Sequence, residues 1–245
     1  MNALDVDQTV GDLVAQKPAL ARVFEELEID YCCGGKKTLE EACRQQGLDP
    51  RTVLATLREY DEGKSGGAPS VDAAAMSLTE LADHIEQTHH VYVRTALQRL
   101  DKMTEEVAAA HGRRDPRLHQ VRETFLAMAG ELWSHMTKEE QVLFPTVRRL
   151  EASEELPTFH CGSLASPIRQ MEVEHDDASS AFGRLRELTD GFAPPDWACN
   201  TYRAMLEAFS DLEQDMHVHI HKENNVLFPR ALEMEAQKRR GMPVG

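Results

Sequence analysis

HMTKEEQVLFP, from His135 to Pro145, recurs 84 residues later as HIHKENNVLFP, from His219 to Pro229. Seven of the eleven positions are identical, among them His135/His219, Glu139/Glu223 and the closing Val-Leu-Phe-Pro. A His followed four residues later by a Glu places an imidazole and a carboxylate on one helical face, one turn apart. A lone pair of this kind is ordinarily an i,i+4 surface contact. Two of them in a duplicated setting predict two halves of one inward-facing metal site.

Working outward from the repeat, four long helical patterns follow one another with almost no strand alternation. They run over about Ser77–Ala110, Arg117–Leu150, Pro167–Thr189 and Pro195–Ala236. Ser77 and Glu80 form a capping box at the start of the first. Gly112–Pro116 and Gly191–Pro195 read as hairpin turns, and Leu156–Pro167 as a longer crossover. Pro145 and Pro229 fall late in their helices, where a proline ring should kink or end the rod. The expected fold is all-α: an antiparallel four-helix bundle over residues 77–240.

Before the bundle, Gly63–Ser70 is the clearest break in composition, so residues 63–76 read as a linker. Residues 1–62 read as a small helical domain. Val10, Leu13 and Val14 suit one apolar stripe, and Leu20, Val23, Phe24 and Leu27 another. Thr38 and Glu41 match a capping box, and Asp49 caps a helix opening at Pro50. The 42 acidic against 27 basic residues give a formal charge of −15, which argues against nucleic-acid or anionic-membrane binding. There is neither a run of about 18 apolar residues nor a signal-peptide pattern. Five scattered cysteines do not resemble a secreted disulfide framework, and a reducing cytoplasm is expected.

Two metal ions in a bundle draw ligands from all four helices. The second and fourth offer His135/Glu139 and His219/Glu223. The third offers His175, on the stripe Ile168, Met171, His175, Ala178, Phe182, Leu185. The first offers His84, His89 and His90, and apolar spacing alone does not separate His89 from His90. Duplication favours His90: it precedes His135 by 45 residues, as His175 precedes His219 by 44. The set is His90, His135, Glu139, His175, His219 and Glu223, and its mixed N/O donors suit iron, manganese or zinc. Glu131 and Asp215, each four residues before a ligand His, are candidates to accept the free ring N–H, with Glu174 a further one. His111, His119 and His160 read as solvated, His221 as pointing away from His219, and the methionines as core filling.

In front of the bundle stands Asp30-Tyr31-Cys32-Cys33-Gly34-Gly35, followed by Lys36 and Thr38-Leu39. With the duplicated His-x-x-x-Glu pairs, this motif resembles the RIC family of iron–sulfur cluster repair proteins, whose C-terminal part is a hemerythrin-like di-iron bundle. The resemblance covers nearly the whole chain, with no departure at the six ligand positions. It implies a centre of two non-haem iron ions, at which a bridging oxide or hydroxide would balance the charge of a ferric pair, with damaged Fe–S proteins as clients and restoration of clusters after nitrosative or oxidative stress. Iron release from a labile centre is the expected mechanism. Reduction or scavenging of nitric oxide or O2 at the same site is the enzymatic alternative, and sensing or storage of O2, nitric oxide or iron a third. No motif reports on a homodimer, which the sequence leaves open.

Cys32 and Cys33 are too close in sequence for a comfortable mutual disulfide and present two soft donors beside Gly-Gly. If this turn precedes a helix beginning near Thr38, the turn's amides and Lys36/Lys37 are expected to lower the thiol pKa, giving transfer or redox thiols. A buried pair of small hydrophobes is the competing expectation. Cys43, Cys161 and Cys199 read as structural or incidental.

Overall fold

Helices supply the elements of the computed structural model, which describes residues 4–62, 72–158 and 162–241. Among those residues the only β pairing is an isolated antiparallel bridge between Thr9 and Thr38. Two compact units are present: residues 1–82, 150–157 and 217–245, and residues 83–149 and 158–216. These borders differ from the sequence-based division, because the first unit takes in the C-terminal stretch as well as the N-terminal segment. Most of the expected linker, His160 and Cys161 lie outside the described residues.

In the first unit, α1 (Val10–Gln16), α2 (Ala21–Glu26), α3 (Leu39–Gln45) and α4 (Pro50–Glu62) enclose a small core. Val10, Leu13, Val14, Leu20, Val23, Phe24, Leu39 and Leu57 are buried there, with Leu27 packed at its edge. The expected capping box at Thr38 is complete: Glu41 N–H donates to the Thr38 hydroxyl, and Thr38 N–H to the Glu41 carboxylate. Asp49 caps α4 through the Thr52 amide. At α5 (Leu78–His84), Ser77 and Glu80 form the second box. Glu151 adds a second cap there, accepting from the Leu78 and Thr79 amides at 2.8 Å each.

The second unit is a four-helix bundle. Its rods are the part of α5 beyond Ala82 continued by α6 (Val91–His111), α7 (Arg117–Lys138) running on towards α8 (Phe144–Ala152), α9 (Ala165–Leu188), and α10 (Asn200–Lys222) as far as Met216. The α9 stripe is buried as its spacing requires: Ile168, Met171, His175, Ala178, Phe182 and Leu185 all face inward. Phe209 of α10 is fully buried between Phe125 and Phe192. Met128, Met136, Met171 and Met205 fill the core, as does Met216. The fourth helix starts at Asn200 rather than Pro195. Phe192 folds back onto Phe209, and Arg203 binds the carbonyls of Pro195, Asp196 and Ala198, which lengthens the turn.

Among the described residues three π-helical turns interrupt the rods: Ile85–His90, Glu139–Leu143 and Glu223–Leu227. The two prolines account for the last two. Pro145 and Pro229 have no N–H for the usual i→i−4 bond, and the preceding amides of Phe144 and Phe228 reach back five residues to the carbonyls of Glu139 and Glu223. The helix is re-wound rather than ended, and resumes as α8 and α11 (Phe228–Arg239). Each π turn contains one residue of the expected ligand set.

Candidate metal centre

Glu139 is the centre of the second unit's polar cluster. It is fully buried, and neither of its carboxylate oxygens takes part in a hydrogen bond among the described residues. Imidazole nitrogens nevertheless close on it: Nε2 of His135 stands 3.3 Å and Nε2 of His90 3.4 Å from Oε2. A buried carboxylate in this state calls for positive charge in its vicinity. Nε2 of His175 lies 3.1 Å from Nε2 of His135. Two nitrogens at right angles on one ion, at about 2.0–2.1 Å each, stand about 3 Å apart, so this spacing fits a shared metal. One ligand atom each from His135, Glu139 and His175 fall within 4.8 Å of one another, as do those of His90 and Glu139. Glu139 thus faces the imidazoles of His90 and His135, the latter beside that of His175.

The rings are oriented from behind. Nδ1 of His135 donates to Oε2 of Glu174 at 2.9 Å, which leaves Nε2 to face inward. The hydrogen bond from His135 brings the Glu174 carboxyl down to about 2, against the opposing effect of burial and with help from Lys138 and Gln170. Nδ1 of His90 donates to Oε1 of Glu140 at 2.7 Å, and Arg94 holds both oxygens of that carboxylate at 2.8 and 2.9 Å. Burial pushes the Glu140 carboxyl up, but the hydrogen bonds from Arg94 and His90 outweigh it and leave it below its ordinary value. A cleft of 560 Å³ lined by Glu131, His135, Glu174 and Asp177 reaches this side of the cluster.

The other half of the repeat belongs to the first unit. His219 and Glu223 are both fully buried, with Nε2 of His219 3.1 Å from Oε1 of Glu223. The duplicated His-x-x-x-Glu spacing therefore yields a buried imidazole–carboxylate pair in each unit.

Two family models match the chain. One, described as Hemerythrin HHE cation binding domain, spans residues 81–231, and the other, Domain of Unknown function (DUF542), spans residues 6–61. The chain is 35% identical over 226 residues to the iron–sulfur cluster repair protein YtfE of Enterobacter sp. (strain 638), covering 92% of this chain and 97% of that protein. It is 37% identical over 229 residues to the protein of the same name from Pectobacterium carotovorum subsp. carotovorum (strain PC1), covering 94% and 98%. The chain belongs to this family. The hemerythrin-type match takes in all six expected ligands, and the other match takes in the Cys-Cys motif.

Within this repair-family chain, several side chains sit differently from the sequence expectation. His89 is buried but turned to Asp215, its Nδ1 2.9 Å from Oδ1, while His90 faces Glu139. That separates two residues whose apolar spacing is equivalent. Asp215 is accordingly engaged by His89, four residues from the His219 it was expected to support. Glu131 is exposed, and the Nδ1 of His135 is taken by Glu174 from the neighbouring helix α9. Glu174 therefore serves His135 rather than the adjacent His175. His111 is not simply solvated: its Nε2 is 3.2 Å from Cys199 Sγ, and its ring lies against Trp197 and Tyr202. His119 is exposed, as expected. His84 is half-buried, with Nδ1 3.3 Å from the Thr88 hydroxyl.

The thiol segment also departs from expectation. Cys32, Cys33, Cys43 and Cys199 are thiols. Asp30 turns under the loop and accepts from the amides of Cys32 and Gly34 and from the Cys32 thiol. The adjacent Cys33 thiol, burial and the Asp30 charge push the Cys32 thiol well above its ordinary value, the reverse of the expected lowering. The amides that were to stabilise a thiolate are occupied by a carboxylate instead. Cys32 is buried and Cys33 half-buried. Glu140, Arg94 and Asn225 were not singled out in the sequence. The signal for Glu140 was faint: an Arg four residues after His90, and an acidic residue replaced by Asn224 in the second copy.

Proposed function

We propose that this chain supports repair of iron–sulfur clusters damaged by nitrosative or oxidative stress, acting in a reducing cytoplasm as an iron donor. Residues 77–240 hold the iron, residues 1–62 carry the thiols, and residues 63–76 join them. In this reading His90, His135, Glu139, His175, His219 and Glu223 together hold two iron ions. Glu139 and its repeat counterpart Glu223 would be the carboxylates shared by the pair, and an oxide or hydroxide would balance the remaining charge. The observation that carries the reading is Glu139, wholly buried, without a hydrogen bond and faced by imidazole nitrogens of two helices.

Iron is here the cargo, and the donor set suits its uptake and release. Four imidazoles and two carboxylates without a thiolate suit iron, and in this reading reduction to the ferrous state by an external reductant would loosen the hold and release the metal. Glu140 and Glu174 keep Nε2 of His90 and His135 aimed inward, while Arg94 and Lys138 fix those carboxylates. Cys32 and Cys33 serve in this reading as transfer or redox thiols towards damaged Fe–S proteins. The test is to incubate an Fe–S enzyme inactivated by nitric oxide with the iron-loaded chain, beside an equal amount of iron in buffer. The chain should restore activity faster than free iron. Equal or slower recovery would refute iron donation.

The cleft that reaches His135 and Glu174 favours a second reading, in which nitric oxide or O2 enters and is reduced at the same residues. Repeated turnover of nitric oxide to N2O in the presence of a reductant would select it over delivery.

A further inference from the structure

Asn225 is the side chain at which the Asp30–Gly35 stretch meets the second repeat. Its Nδ2 donates to the carbonyl oxygen of Cys32 at 2.9 Å and lies 3.3 Å from that of Tyr31. Those two carbonyls belong to the peptide bonds on either side of Cys32. Gly11 and Gly35 close around the same amide. A Cβ on Gly35 would stand 2.2 Å from Asn225 Oδ1, and one on Gly11 2.5 Å from it. Neither glycine has a positive φ, so it is space and not backbone conformation that excludes a side chain there. The Gly11 amide donates to the Gly35 carbonyl at 2.9 Å, which ties α1 to the same loop.

The duplication supplies an internal comparison. Asn225 is the counterpart of Gln141, and His221 of Thr137. Gln141 is exposed and Thr137 half-buried. In the second copy His221 is buried, with Nδ1 3.4 Å from the Tyr31 carbonyl, and burial brings its imidazole down to about 4. Both π turns start at a buried Glu and end before Phe-Pro, so the turn itself does not demand asparagine. The second copy differs from the first at the two positions that touch the Cys-Cys loop.

We infer that Asn225 is a positioning residue that fixes the Cys32–Cys33 loop against the π turn beginning at Glu223. The inference deepens the proposal above and rests on it for the loop's part in transfer. It also explains the second glycine of the motif: Gly35 is the space into which the Asn225 amide fits. Opening the loop exposes Cys32, and the loss of one such hydrogen bond corresponds to about a fivefold to tenfold rise in the open population.

The experiment alkylates the iron-free full chain with iodoacetamide and follows Cys32, Cys33 and Cys43 separately by peptide mass spectrometry. Cys43, buried in the N-terminal core, reports general unfolding. Asn225→Ala should raise the Cys32 rate about fivefold to tenfold with Cys43 unchanged, and Asn225→Asp, which cannot donate, should do the same. Gln141→Ala should change neither. Gly35→Ala should also raise the Cys32 rate, and adding Asn225→Ala should lower it again by removing the clash. An unchanged Cys32 rate in Asn225→Ala overturns the inference. So does an equal rise at Cys43 without relief of Gly35→Ala, which would assign Asn225 to general packing. Iron content of the parent is measured separately, so failure to bind iron would sink the metal reading and leave this result standing.

Discussion

Nδ1 of His90 donates to Glu140 at 2.7 Å while Arg94 grips both oxygens of the same carboxylate, so the ring is held from a neighbouring helix and from its own next turn. Replacing Glu140 by Ala frees the ring and leaves Arg94 without its acceptor. Iron affinity, read as the rate of loss to a ferrous chelator, should weaken about tenfold to a hundredfold. Glu140→Gln keeps an acceptor and should fall between the two. An affinity unchanged in Glu140→Ala would mean that Nδ1 of His90 needs no carboxylate.

A second expectation concerns thiol order. Cys33 is half-buried, whereas Cys32 is buried and its thiol is raised by Cys33, burial and Asp30. At pH 7 an alkylating reagent should modify Cys33 well before Cys32, and Cys32 should quicken only in alkali. Asp30→Asn removes one of the causes and should bring the Cys32 response to lower pH. Equal rates at pH 7 would contradict this placement of the two sulfurs.

Acid stability can be traced to a cap. Burial pushes the Glu151 carboxyl up, but its hydrogen bonds with Thr79 and the Leu78 amide outweigh this and hold it below its ordinary value. The folded-state pKa is therefore below the unfolded one. The stability it contributes is present above about pH 4.3 and lost as pH falls through the folded value. Glu151→Gln should cost about 1 kcal/mol at neutral pH and flatten the acid limb in urea titrations. A variant whose acid limb matches the parent's would remove Glu151 from that role.

Core packing gives a blunter test. Phe209 is fully buried against Phe125 and Phe192. Truncation to Ala should destabilise by about 3–5 kcal/mol and lower the thermal midpoint accordingly. A loss below 1 kcal/mol would mean that the surrounding rings collapse into the space.

Helices, capping boxes and the inward stripe of α9 were legible because they are set by spacing along one rod. Thr38/Glu41 and Ser77/Glu80 each needed only local geometry. The π turns were not read, although Pro145 and Pro229 announced them: a missing N–H can end a helix or re-wind it, and the sequence shows only the missing donor. Choices between helices were also closed to sequence reasoning. Whether Glu131 or Glu174 backs His135 depends on how α7 and α9 are rotated against each other, and no periodicity in either records that angle. The raised Cys32 thiol has the same origin, since Asp30 occupies amides that a local reading assigned to a thiolate. His89 and His90 show how narrow the margin is: adjacent residues, both buried, with partners on different helices.

The central claim, that Glu139 serves a bound metal, is tested most directly by counting iron. The full chain is loaded anaerobically with ferrous iron, freed of excess on a desalting column and analysed for metal against protein, beside Glu139→Ala with its helicity checked by circular dichroism. The account predicts two irons per parent chain and fewer than one in the variant. A parent that retains no iron above buffer, or a folded variant that retains as much as the parent, would contradict it.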